Sequence, residues 1–132
     1  VPFLIFHPDK QIQQKLANKL DETDVFQHVD FTPTVYGLLG IKPRNKLPFG
    51  RNLLNEEGMP EVYNGRDEYY WWQNGEYLVE VRGGDSISSY QLHQGWGPHT
   101  PTQAPQHIIQ RALFRKQLYN SLMLDNQLVQ DF

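Results

Sequence analysis

The stretch Glu68-Tyr-Tyr-Trp-Trp-Gln73, followed by Asn74-Gly75 and then by Glu76 to Arg82, leaves the chain around it few options. Two runs rich in aromatic and β-branched residues flank a dipeptide that accepts left-handed backbone angles, which predicts a β-hairpin on a two-residue type I′ turn at Asn74 and Gly75. If Gln73 pairs with Glu76, Trp72 faces Tyr77 and Tyr70 faces Val79, with Val81 alongside on one apolar face. Tyr69, Trp71, Leu78, Glu80 and Arg82 share the other, mixed face. Gly83-Gly84-Asp85 turns the chain again, and Ser88 to Leu92 adds a third antiparallel strand, making a small meander.

The rest of the chain divides around this hairpin. Val1 to Phe6 is an unbroken apolar run ended by His7-Pro8-Asp9, the pattern of a strand buried on both faces, as in a parallel sheet. Ile12, Leu16 and Leu20 recur every four residues and predict a short helix over 10–20. In Asp30-Phe-Thr-Pro-Thr-Val-Tyr-Gly-Leu-Leu-Gly-Ile-Lys-Pro43 a second helix carries its own start and stop. Asp30 caps it, Pro33 is tolerated in its first turn, and Phe31, Val35, Leu38 and Leu39 line one face. Gly40 supplies the left-handed C′ position, Ile41 the apolar contact, and Pro43 prevents continuation. Lys42 to Gly65 reads as an ordered loop, and Gly95 to Pro105 as a proline-rich crossing. A closing helix spans about Pro105 to Leu124, with Ile108, Ile109, Ala112, Leu113, Tyr119, Leu122 and Met123 at helical spacing.

Several function classes fall away. A net charge of -3 and a pI near 5.9 give no footprint for nucleic acid or anionic lipid. The absence of cysteine removes disulfides, thiolate metal sites and cysteine nucleophiles. No apolar run approaches the ~18 residues of a membrane span, and the first six residues lack a basic flank and cleavage site. Among five histidines, a close grouping with a carboxylate is His28-Val-Asp30, whose spacing shares a face only in a strand. Asp30 is better read as a helix cap. Thr32 and Thr34 flank a proline at a helix start, where hydroxyls satisfy backbone groups. There is no Gly-x-Ser-x-Gly elbow and no phosphate-cradling glycine loop. In the aromatic quartet, alternation sends half the rings into a core, so only Tyr69 and Trp71 can face a ligand, on a surface that the C-terminal helix could equally cover.

Taken in order, Val1-Pro-Phe-Leu-Ile-Phe6, Val29-Asp-Phe-Thr-Pro-Thr34 with Leu38-Leu-Gly-Ile41, Gly50-Arg-Asn-Leu-Leu54, Tyr77-Leu-Val-Glu-Val81 and Tyr90-Gln-Leu92 resemble the C-terminal part of sulfatase-like enzymes of the alkaline phosphatase superfamily. The likeness is greatest to lipoteichoic acid synthase-like phosphoglycerol transferases. The resemblance implies an α/β fold: a C-terminal fragment of an alkaline phosphatase-like fold, with one buried strand and helix, a small antiparallel β-meander and a C-terminal helix. Residues 1–65 would end the large α/β domain, and 66–132 would form a C-terminal subdomain.

It implies a parent that hydrolyses sulfate esters or transfers a phosphoglycerol or phosphoethanolamine group. A divalent ion (manganese, magnesium, zinc or calcium) would activate a threonine, serine or modified cysteine nucleophile. The nucleophile and the Asp-His pair of such enzymes precede the Val-Pro-Phe-like strand, so no catalytic or metal residue carries over to this chain. By this reading the chain is a trimmed part of something longer and is inactive alone. Its partner is an upstream catalytic segment of the same protein, anchored to a membrane and facing the periplasm or cell exterior. Asp30, Pro33, Thr34, Gly40, Asn74 and Gly75 are scaffold positions. The competing expectation is a non-catalytic carbohydrate- or protein-binding module presenting Tyr69 and Trp71; a third is a small enzyme using His28 and Asp30.

Overall fold

The computed structural model describes residues 6–21, 25–42, 49–55, 60–83, 86–93 and 99–125. Two compact units divide the chain, Val1–Gly58 and Met59–Phe132. Val1 to Ile5 of the strand expected over Val1 to Phe6, the stop at Pro43 and the Gly84-Asp85 turn lie outside the described residues, while Phe6 is exposed and not in a strand.

In the first unit, α1 spans Lys10–Asp21. Asp9 starts it, its carboxylate accepting the Gln11 amide at 2.8 Å. Leu16 is the buried residue of its apolar stripe. A 3-10 turn, His28–Asp30, leads into α2, Phe31–Leu39. The end of α2 follows the expected left-handed cap. Gly40 sits at φ 67, its amide bonds Gly37 O at 3.3 Å, and the Ile41 amide bonds Tyr36 O at 2.8 Å.

The face that α2 buries is not the one its apolar residues predict. Thr34 is fully buried, while Phe31 and Leu39 are 48% and 67% exposed. The reason is polar: Thr34 and Asp30 bind the backbone of 49–55, so the helix turns that side inward and leaves the Phe31–Leu39 side outward.

The second unit is a five-stranded antiparallel sheet in the order β1-β2-β3-β4-β5. Its strands are β1 Val62–Arg66, β2 Tyr69–Gln73, β3 Tyr77–Arg82, β4 Ser86–Gln91 and β5 Thr100–Pro101. The helix α3, Gln106–Leu124, packs on β2 and β3. Strands β1 and β5 lie where the sequence reads as loop and crossing. Asn64-Gly65 and Thr100-Pro101 carry turn-forming residues that strand pairing overrides.

The hairpin faces are as expected but its pairs are not. Gln73 opposes Leu78, Trp72 opposes Val79 and Tyr70 opposes Val81, a shift of two residues. Asn74 causes it. Its side-chain oxygen accepts the amides of Glu76 and Tyr77 at 3.2 and 2.9 Å, an Asx turn that moves the bend onto Gly75, at φ 86, and Glu76. Because side chains alternate with period two, this shift keeps every residue on its face. Tyr70, Trp72, Val79 and Val81 therefore still form one core, closed by Ala104, Ile108 and Ala112.

Candidate functional site

Three polar constellations are built by these elements. On the sheet face opposite the core, the Tyr69 hydroxyl donates to Glu80 Oε1 at 2.7 Å, and Arg82 donates to Glu80 Oε2 at 3.0 Å. The Arg82 guanidinium lies over the Tyr69 ring, 5.2 Å from its centroid. Burial, then the bond to Glu80, pushes the Tyr69 hydroxyl up from its ordinary range. Tyr69 is thus engaged on one ring face and at its hydroxyl, and Trp71, two residues on, is half-buried. Alternation brings Tyr69 and Trp71 to one surface, and α3 covers the other. Glu80 keeps 12% of its side-chain exposure and Arg82 keeps 65%, so with one partner in solvent Arg82→Ala is expected to change thermal unfolding little.

In the first unit, Asp30 is buried with both carboxylate oxygens occupied, Oδ2 by the Gln27 amide at 2.9 Å and Oδ1 by the Arg51 amide at 2.8 Å. It caps the 3-10 turn instead of the amides of α2, because the chain at Arg51 competes for the same carboxylate. Thr34 Oγ1 donates to Asp30 O at 2.6 Å and accepts the Leu53 amide at 3.1 Å. Arg51 Nη2 donates to Val25 O at 2.9 Å. His28 is exposed, so the structure does not bring it and Asp30 together as an acid–base pair.

The third constellation lies under the sheet and was not visible in sequence. Glu61, 7% exposed, accepts Trp72 Nε1 at 2.8 Å and Arg111 Nε and Nη2 at 3.2 Å each, and it pairs with Arg115. Burial works against the ionised form, but the bonds from Arg111, Arg115 and Trp72 outweigh it and hold the Glu61 carboxyl below its ordinary range. Arg111 and Arg115 stand one helical turn apart beside buried Ile108 and Ala112. That i, i+4 pair on the edge of an apolar stripe is the signal that could have found it. Glu61 itself falls in a featureless loop. The cluster bolts the approach to β1 onto α3, and its carboxylate is spent on cations of the chain itself.

Nearby, the buried Tyr70 hydroxyl has no hydrogen-bond partner among the described residues. Tyr70→Phe is therefore expected to leave stability unchanged or raise it by about 1 kcal/mol, read from a denaturant midpoint.

Neither carboxylate constellation suits a divalent ion: the Asp30 oxygens are taken by amides and those of Glu61 by guanidinium groups. Among the described residues, no group of three or more histidine, aspartate or glutamate side chains could hold a metal. No helix of the described residues is long and apolar enough to cross a membrane.

No protein-family model matches the chain, and no curated protein matches it. A solved structure of a protein in the alkaline phosphatase superfamily from Vibrio parahaemolyticus, at 1.95 Å, matches it with a TM-score of 0.70 at 18% identity. The match covers 82% of this chain and 27% of that one, so the chain spans about a quarter of the length of that solved structure. At this identity the likeness defines the fold: an α/β chain matching a fragment of an alkaline phosphatase-like fold.

Proposed function

We propose that this chain is the C-terminal scaffold portion of a metal-dependent sulfatase-like hydrolase or phosphoglycerol or phosphoethanolamine transferase, inactive by itself. The carrying observation is the overlay of most of the chain on about a quarter of a superfamily member. The nucleophile and metal ligands then lie on an upstream segment of the same protein, outside the membrane that anchors it.

The surface of the first unit supports the reading. Its described buried hydrophobic residues are Leu16 and Leu53, whereas Phe6, Phe26, Val29, Phe31, Leu39 and Ile41 are all at least 39% exposed. The segment forming α2 holds no charged side chain. Among the described residues of this unit more large apolar side chains lie outside than inside, the mark of a surface built to be covered. Leu39→Glu in the 132-residue chain is therefore expected to change stability by under about 0.5 kcal/mol while lowering binding of a hydrophobic dye.

The reading is tested in two ways. The purified chain, given chromogenic sulfate and phosphate esters with manganese, magnesium, zinc or calcium, is expected to turn over none of them; metal-dependent turnover overturns its status as scaffold. The coding frame ahead of Val1 is expected to encode an Asp-His pair and a threonine, serine or cysteine nucleophile, and a frame encoding neither overturns the parentage.

A further inference from the structure

The fifth lane of the sheet is only partly filled. Strand β5 pairs with Tyr90 and Gln91 alone, and after it the Thr102 amide bonds Ser89 O at 3.0 Å. The chain then leaves the lane, since Ser89 Oγ donates to Thr102 O at 2.6 Å and accepts the Ala104 amide at 3.0 Å, drawing 102–104 toward α3. Beside Ser86 to Ser88, about 10 Å of strand edge has no partner strand among the described residues.

Register shows what that edge presents. Ser89 O points toward β5, and the Leu92 amide bonds Glu76 O at 2.7 Å, on the β3 side. In an antiparallel ladder alternate residues address alternate neighbours, so Ile87, two before Ser89, aims its N–H and C=O into the open lane. Ser86 and Ser88 spend theirs on β3.

Below the lane runs a groove of about 770 Å³, floored by Ile87, Ile109 and Leu113, with Ser89, Gln103 and Gln106 among its polar groups. None of its ten lining residues is charged, which disfavours phosphate, nucleic acid or a metal ion as occupant. Ile87 is 40% exposed, although its side chain shares the face of core residues Val79 and Val81. The edge also lacks the lysine or proline that usually blocks strand addition.

We propose that this lane receives an extended, uncharged peptide segment of a partner protein. The segment continues the line of β5, exchanges main-chain hydrogen bonds with Ile87, and seats one apolar side chain over Ile87, Ile109 and Leu113. Main-chain pairing with Ile87 fixes the register of the segment, and the apolar seat adds affinity and selects the side chain. The amides of Gln103 and Gln106 can pair with peptide groups at the rim.

The test is an amide NMR titration of the full 132-residue chain with a capped pentapeptide of alternating threonine and valine. Saturable shifts are expected at Ile87 and along the groove at Ser89, Gln103, Ile109 and Leu113. N-methylation of one central residue at a time should, at the position facing Ile87, weaken binding about tenfold. Ile87→Pro removes only an outward N–H, so it should keep the β3–β4 ladder and lose the peptide to the same degree.

No shift at Ile87 up to millimolar peptide overturns the proposal, as does equal affinity for every methylated form. A dimer seen in sedimentation without peptide, and dissolved by Ile87→Pro, overturns it by giving the edge to a second copy.

Discussion

Glu61→Ala is expected to lower the stability of the sheet unit by about 3 kcal/mol, the largest loss from any single polar side chain in it. Removing one partner of a buried ion pair typically costs about 3–5 kcal/mol, because the opposite charge is left without compensation. Here the side chains of Arg111 and Arg115 keep 37% and 22% of their exposure, so water recovers part of the loss and the lower end applies. The indole N–H of Trp72, a residue with no exposed surface, also loses its acceptor.

Glu61→Gln keeps a carbonyl oxygen for Trp72 and should cost about half as much. Denaturant unfolding followed by tryptophan fluorescence reads both variants, and a loss under about 1 kcal/mol for the alanine would show that the cluster is not a structural bolt. The pH dependence carries its own sign. Because the folded pKa of Glu61 lies below its ordinary value of 4.5, its contribution is complete above that value and drains away as pH falls through the lower folded value. Wild type should lose stability on acidification below about pH 4.5, and Glu61→Gln should flatten that part of the curve.

The second large effect belongs to Gly50. It adopts φ 84, and a Cβ there would sit well inside contact distance of the Val29 carbonyl oxygen. A left-handed L-residue costs about 1–2 kcal/mol, and forcing backbone apart where segments are packed adds about 1–3 kcal/mol. Gly50→Ala is thus expected to cost about 2–5 kcal/mol within the first unit. It should also free the amides of Arg51 and Leu53, which lose their acceptors on Asp30 and Thr34, to hydrogen exchange. Gly37 is the control. A Cβ there would meet the side chain of Asn52, which can swing aside by giving up the Leu54 amide it accepts, a loss offset by the preference of about 1 kcal/mol for alanine over glycine in a helix interior. Gly37→Ala should be close to neutral, and equal losses at both glycines would contradict the explanation.

What could be read from sequence was whatever depends on local chemistry. The end of α2 at Gly40 and Ile41, the extent of α3 and the two faces of the hairpin all follow from residues within a turn or a strand of one another. Interactions between distant residues were not legible. Arg111 and Arg115 find Glu61 across 50 or more positions, and nothing near Glu61 marks it. The inward face of α2 is chosen by the backbone amides of Arg51 and Leu53, which no hydrophobic pattern records. The same holds for β1 and β5, each placed by a neighbouring strand and not by its own composition. For the candidate site, alternation put Tyr69 and Trp71 on one surface, but the clasp of Arg82 and Glu80 on Tyr69 emerges only once β2 and β3 are paired.

The two-residue offset at the β2–β3 turn has a bearing on how such hairpins can diverge. Where the bend slides from Asn74-Gly75 to Gly75-Glu76, the strands slip by a whole alternation and no ring changes sides. Length variation that keeps a two-residue turn at this tip should then come in even steps, since an odd one would set Trp72 opposite the Leu78 and Glu80 face of β3.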